Sequence, residues 1–129
     1  MAAPNIVGVT TITGKTTYLS LADTSDTVLL SNAASSGKVF KVNTIIVSND
    51  DGVNTANITV SVNSAAAGGG TAYKLAHTID VTADSTLVVL DKASSIYLEE
   101  DRSIVVTASA GGDLDVVCSY EEISAWYGE

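Results

Sequence analysis

The chain is poor in the residues from which most active sites are built. Its 129 residues include one histidine, one cysteine, one tryptophan and one phenylalanine, and Lys and Arg together number six. With a single His77 and a single Cys118, an ordinary zinc site would have to take its other ligands from carboxylates, so zinc is not expected. The lone Cys118 can form no internal disulfide and says little about redox compartment. Six basic residues against fifteen acidic ones leave a formal net charge of −9, which repels phosphate backbones and argues against nucleic-acid binding. Aromatic residues are only 5% of the chain, too few to line a typical glycosidase cleft. The longest apolar runs, such as Ile45-Ile46-Val47 and Leu87 to Leu90, fall far short of the ~18 residues of a membrane span. The opening Met-Ala-Ala-Pro-Asn lacks the basic and apolar stretches of a secretory signal, so a protein made and used without export is expected.

What is present in quantity is Val, Ala, Thr and Ser. Charged residues make up 16% of the chain and hydrophobic residues 46%, so much of the polar surface must be hydroxyl and amide. β-branched side chains are stiff at χ1 and pack well on a pleat, and no stretch of a dozen residues carries a helical apolar stripe. The length suits one domain. The pattern predicts strands at Ile6 to Ile12, Thr16 to Leu21, Thr27 to Ser31, Val39 to Ser48, Asn57 to Asn63, Thr71 to Val81, Thr86 to Leu90, Ser95 to Leu98, Ser103 to Ala108 and Leu114 to Glu121. Turn chemistry falls at Gly14, Asn32 to Gly37, Asp50-Asp51-Gly52, Ala65 to Gly70 and Asp91 to Ser94.

This spacing predicts an all-β fold, a two-sheet antiparallel sandwich of about 8–10 short strands. The expected sandwich spans residues 1–123 and is followed by an aromatic tail, 124–129. Ile58, Val60 and Val62 alternate with Thr59, Ser61 and Asn63, giving one buried face and one polar face. In Val39 to Ser48 the apolar parity changes, which predicts a bulge near Asn43-Thr44 or burial on both faces. Across Ala110-Gly111-Gly112-Asp113 the flanking runs match as a hairpin and are expected to pair. Ala65 to Gly70 is the most flexible segment by composition, suited to a mobile loop tip or to ordering against a partner.

No catalytic motif stands out. His77 shares parity with Tyr73, Leu75, Ile79 and Val81, which points to a core or interface histidine. Cys118 lies on the buried parity of its strand, where a thiol acts as a small hydrophobe. The carboxylates at Asp50-Asp51, Glu99-Glu100-Asp101, Asp113, Asp115 and Glu121-Glu122 lack the spacing of a calcium loop and read as solvated turns. Gly68-Gly69-Gly70 lacks the Lys and Ser/Thr of a phosphate loop. No catalytic residue, cofactor or metal is expected. The candidate partner-binding residues are Trp126 and Tyr127 in the tail, with Ala67, Gly68 and Gly69 in the glycine-rich loop.

Several phrases point further: Ala3 to Val7, Ser36 to Asn43, Thr71-Ala72-Tyr73-Lys74-Leu75-Ala76, Ser95 to Glu100 and Val117 to Ser124. Together they resemble the small virion structural proteins of tailed phages that infect cyanobacteria and other marine bacteria, over most of the chain except the Trp126-Tyr127 tail. The resemblance implies a non-enzymatic virion component, a capsid decoration or cement protein with a sandwich or jelly-roll domain. Its expected partners are the major capsid protein or other virion proteins and further copies of itself, often as a trimer. A neck, tail or fibre component is the alternative, and a carbohydrate-binding adhesion module, with or without calcium, is the reading from another class.

Overall fold

The computed structural model describes residues 6–9 and 11–124. Nine strands follow in chain order: β1 Thr11–Ser20, β2 Thr27–Asn32, β3 Lys38–Asn49, β4 Ala56–Asn63, β5 Ala72–Val81, β6 Thr86–Leu90, β7 Ile96–Leu98, β8 Arg102–Ala108 and β9 Leu114–Ser124. They form two antiparallel sheets. One has the order β1-β9-β3-β6, with β7 also paired to β3, and the other has the order β2-β8-β4-β5.

The pairings are nested. β4 pairs with β5, β3 with β6 and β7, β2 with β8, and β1 with β9, as though one long hairpin had been rolled into a barrel. The roll is closed by β9 on β3 and β8 on β4. This wrapping defines a jelly roll. It sends most connections from one sheet across to the other.

The inner faces supply one core. Val42, Ile45 and Val47 of β3 and Leu114, Val116 and Cys118 of β9 meet Ile58 and Val60 of β4 and Ile104 and Val106 of β8 there. At roughly 25 cal/mol per Å2 of apolar surface removed from water, this burial is the main drive to fold.

The parity change in β3 is a bulge, since its register against β9 shifts between Val42 and Thr44. The shift falls where β3 changes partner on its other side, from β7 at Phe40–Val42 to β6 at Ile45–Ser48. One extra residue keeps Phe40 and Val42 on the same face as Ile45 and Val47.

Three expectations are corrected. The runs on either side of Gly14 are one strand: β1 passes through Gly14 with unbroken register from Thr11 opposite Ser124 to Ser20 opposite Asp115. Residues 6–8 form a turn before it. Glycine is tolerated there because β1 is an edge strand, and an added Cβ would meet nothing within 4 Å.

The runs flanking Ala110 to Asp113 do not pair, because β8 and β9 lie in different sheets. Each has one apolar face, and the two faces bury against one another from opposite sides of the core. The link closes the sandwich end through Gly112 N donating to the Leu21 carbonyl at 2.8 Å and Asp50 N donating to that of Asp113 at 2.7 Å. Gly111 is packed so closely that a Cβ would lie 2.5 Å from the Ala22 carbonyl oxygen.

His77 is exposed, not in the core. The β5 register against β4 shifts on both sides of Val60, and Thr78 adopts φ 47. Ala76 thereby becomes the half-buried residue and His77 turns away.

Two buried asparagines tie the sheets together. Asn32 of β2 donates through Nδ2 to the carbonyl of Lys38 at 2.9 Å and to that of Leu98 in β7 at 3.1 Å. Asn49 of β3 donates to the carbonyls of Asn54 and of Val81 in β5, each at 2.9 Å, and accepts from Asp51 N at 2.9 Å. Replacing Asn49 by Ala strands the buried Val81 carbonyl and removes the tie to Asn54. A loss of about 2–3 kcal/mol is expected in urea unfolding. Gly111→Ala should lower stability by about 1–3 kcal/mol through overpacking against backbone, read from the same curves.

Candidate binding surfaces

The glycine-rich loop is not a loose tip. Its short 3-10 turn, Ala66–Gly68, lies back over the outer face of the β2-β8-β4-β5 sheet. Side chains hold nearly every amide. Ser31 Oγ accepts from Ala67 N at 3.0 Å, Ser103 Oγ from Gly68 N at 2.9 Å and Asp101 Oδ1 from Ala66 N at 3.0 Å. Asn63 Oδ1 accepts from both Ala65 N and Gly70 N. Ala67 at φ 56 and Gly68 at φ 72 are held in the left-handed region, a conformation that persists only when surroundings over-determine it.

The same cover explains why Ser61 and Asn63 are buried although they lie on the polar parity of β4. Sequence reasoning found the loop but took glycine content for mobility. The signal that it is pinned lies in Ser31, Asn63, Asp101 and Ser103, which are remote in sequence and ordinary in composition.

Beside this loop is a groove of about 420 Å3 on the outer face of the sheet. Ala67 and Gly68 form one wall, Lys74 and His77 of β5 another, and Val28 and Val105 contribute apolar floor. Asp26 at its rim accepts from Thr107 Oγ1 at 2.6 Å. Thr59 Oγ1 accepts from Thr78 N at 3.0 Å. Gly69 is exposed on the same loop. Trp126 and Tyr127 lie outside the described residues.

The second surface is the outer face of the other sheet. Tyr18, Val117, Ile46 and Val88 are successive cross-strand partners on β1, β9, β3 and β6. They form an apolar row across the whole sheet, and Tyr18 is 73%, Val88 55% and Val117 39% exposed. One neighbouring row, Ser20, Asp115, Ser48 and Thr86, is largely hydroxyl. The charges that share this face, Asp115, Glu121 and Lys41, flank the row and do not interrupt it. Depletion of charge at an apolar centre is the compositional mark of an interface core.

Chemistry is thinly supplied. Cys118 is fully buried in the core, where desolvation pushes its thiol up to about 12, while His77 is exposed on the opposite sheet. The two form no dyad. Among the described residues, no group of three or more His, Cys, Asp and Glu side chains is arranged to hold a metal ion, and no helix is long and apolar enough to cross a membrane.

The carboxylates respond to their local partners. The neighbouring Asp115, through a shared hydrogen bond and its charge, raises Asp50 above the ordinary 3.8, aided by desolvation. Amide donation from Val53 and Asn54 lowers Asp51. Tyr120, tilted against Phe40 with centroids 5.3 Å apart, is raised by burial.

The class these observations define is a jelly-roll sandwich, with the loop and groove on one sheet and the apolar row on the other as its candidate binding surfaces. No protein-family model matches the chain, and no curated protein does. Solved structures do. A chain from Bacillus endospore appendages, described as a family of disulfide-linked pili, aligns with TM-score 0.52 at 15% identity over 90% of each chain. A chain from the T13 particle of IBDV, an icosahedral virus, aligns with TM-score 0.50 at 10% identity. That match covers 90% of this chain but 32% of the viral one. A chain from the acidic stable capsid of Helicobacter pylori bacteriophage KHP30 aligns at 10% identity over 92% of this chain and 91% of that one, with a TM-score of 0.49 that carries no weight. At such identities the first two likenesses show the fold alone.

Two outcomes are expected. Cys118 should resist a thiol-reactive probe in the native protein and react at once in denaturant, because a thiol poised near 12 yields almost no thiolate at neutral pH. A raised carboxyl pKa means that the folded state holds its proton more tightly, so the Asp50 contribution to stability is present at low pH and lost as pH rises through the folded value. Asp50→Asn should therefore raise the melting temperature at pH 7. The gain should shrink as pH falls toward the ordinary carboxylate range, measured by thermal melts across pH.

Proposed function

We propose that this chain is a non-enzymatic structural component of a phage particle, a decoration protein that binds the outer shell and stabilises it by favouring the assembled state. The observation that carries the reading is the jelly-roll strand order, an architecture used by viral capsid domains. Fold alone does not determine role. The step to a virion rests on the sequence phrases that resemble those of virion structural proteins, to which the surfaces add weight. A pre-shaped loop and groove and an uncharged apolar row suit docking on neighbours.

In this reading Ala67, Gly68 and Gly69 present a fixed contour to the shell. Trp126 and Tyr127 serve as aromatic anchors of the tail that follows β9. The sandwich, which takes in Ser124 as the last residue of β9 where the tail was expected to begin, is the folding unit and residues 125–129 its appendage. The partners are the major capsid protein and further copies of this chain, assembled in the virion after synthesis in the host cytoplasm.

The likeness to pilus subunits raises the filament as a second architecture. Linking by disulfides is closed to the folded chain, whose one cysteine lies in the core.

The test is the copy number of this protein in purified particles, by quantitative mass spectrometry normalised to the major capsid protein. Decoration predicts a number comparable with that of the capsid protein. A handful of copies would move the chain to the neck, tail or fibre, and absence from washed particles would overturn the virion reading. Truncation after Ser124 is expected to weaken particle binding while leaving the melting temperature of the isolated domain unchanged.

A further inference from the structure

The four outer strands of the two sheets are not equally protected. An exposed edge offers unpaired N–H and C=O groups to any other strand, and proteins usually blunt it by shortness, bulges, charge or cover. Three of the edges here follow that rule. β2 is interrupted by a register shift between Val28 and Leu30. β5 carries two shifts and the left-handed Thr78. The edge on the far side of β3 is split into β6, five residues long with a shift of its own, and β7, three residues long.

β1 is neither short nor bulged. It runs for ten residues in unbroken register with β9. Its one charge, Lys15, is neutralised by Glu122 at 3.2 Å. Among the described residues no strand pairs with its other side.

We propose that β1 is an assembly edge, and that it pairs antiparallel with β1 of a second copy about a two-fold axis at Thr16. The occupant follows from the sequence of the strand itself. In a two-fold contact residue i meets j and j meets i, so an axis at Thr16 sets Tyr18 directly opposite Gly14 of the other copy, and Gly14 opposite its Tyr18.

Both residues share the outer face. Tyr18 pairs with Val117, two residues from Ser119 and four from Glu121, which oppose Thr16 and Gly14. Tyr18 is 73% exposed, and nothing lies within 4 Å of where a Gly14 Cβ would be. An aromatic ring lying over a cross-strand glycine is a stabilising pair on a sheet. On the diagonal the same ring reaches Ile12 of the other copy, itself 58% exposed. Pairing would cover both exposed large apolar side chains of β1 and convert two four-strand paths into one continuous sheet.

Such an edge contact buries less than the roughly 800 Å2 per partner of a standard interface. It should therefore be weak in free solution, micromolar or poorer, and become effective where copies are held close together. The proposal does not depend on the particle reading: a protein that is monomeric in solution yet abundant in virions would sink the edge contact and leave the proposed function standing.

The experiment is sedimentation velocity of the full chain from about 1 µM to about 500 µM, spanning the affinities at stake, with amide hydrogen exchange at both ends of the range. A concentration-dependent dimer is expected, with new protection confined to β1. Gly14→Leu is the discriminating variant. Its φ is not left-handed and the space is open, so the fold should keep or raise its melting temperature, whereas the leucine would collide with Tyr18 of the other copy and weaken dimerisation at least tenfold. Tyr18→Ser should weaken it in the same direction. A monomer at every concentration, a trimer, or a dimer untouched by Gly14→Leu would each overturn the proposal.

Discussion

Two sheets that share one apolar core could slide over each other, because burial is non-directional. Here the buried amides of Asn32 and Asn49 prevent it. They lie near the two ends of β3, since Asn32 bonds to the carbonyl of Lys38, where that strand starts, and Asn49 is its last residue. Each reaches across to the opposite sheet, Asn32 to Leu98 and Asn49 to Val81. A half-satisfied amide in the core would be costly, so only one relative position of the sheets satisfies both. Once that position is fixed, the crossing loops have fixed spans, and the tight seat of Gly111 against Ala22 follows from it.

Much of this was legible from residue pattern, and the reasons for the rest are specific. Period 2 marked Ile58, Val60 and Val62 for the core, and the parity change in β3 announced its bulge, because both are consequences of pleat geometry that a sequence must obey. Pairing is different. Ala110 to Asp113 has the composition of a hairpin turn, yet it spans the two sheets, and only the nested topology distinguishes those outcomes. Gly14 looked like a turn because composition does not reveal that β1 is an edge. The parity of His77 pointed inward until the shifts in β5, which depend on its neighbour β4, turned it out.

The surfaces were the least legible. Ala67, Gly68 and Gly69 were picked out for flexibility and prove to be fixed, held by serine and asparagine side chains from β2, β4 and β8. The row Tyr18-Val117-Ile46-Val88 draws one residue from each of four strands, so no local window contains it. A surface assembled across strands is hidden in this way: each contributing residue looks ordinary until the register between strands is known.

The register of β1 against β9 has one more implication. Thr11 lies opposite Ser124, so the described chain enters and leaves the sandwich at adjacent points of a single sheet. A short linker joining those points, with a new opening in the exposed turn around Gly52-Val53, would produce a circularly permuted protein with the same core and the same nine strands. The order in which the strands are synthesised is then separable from the order in which they pack.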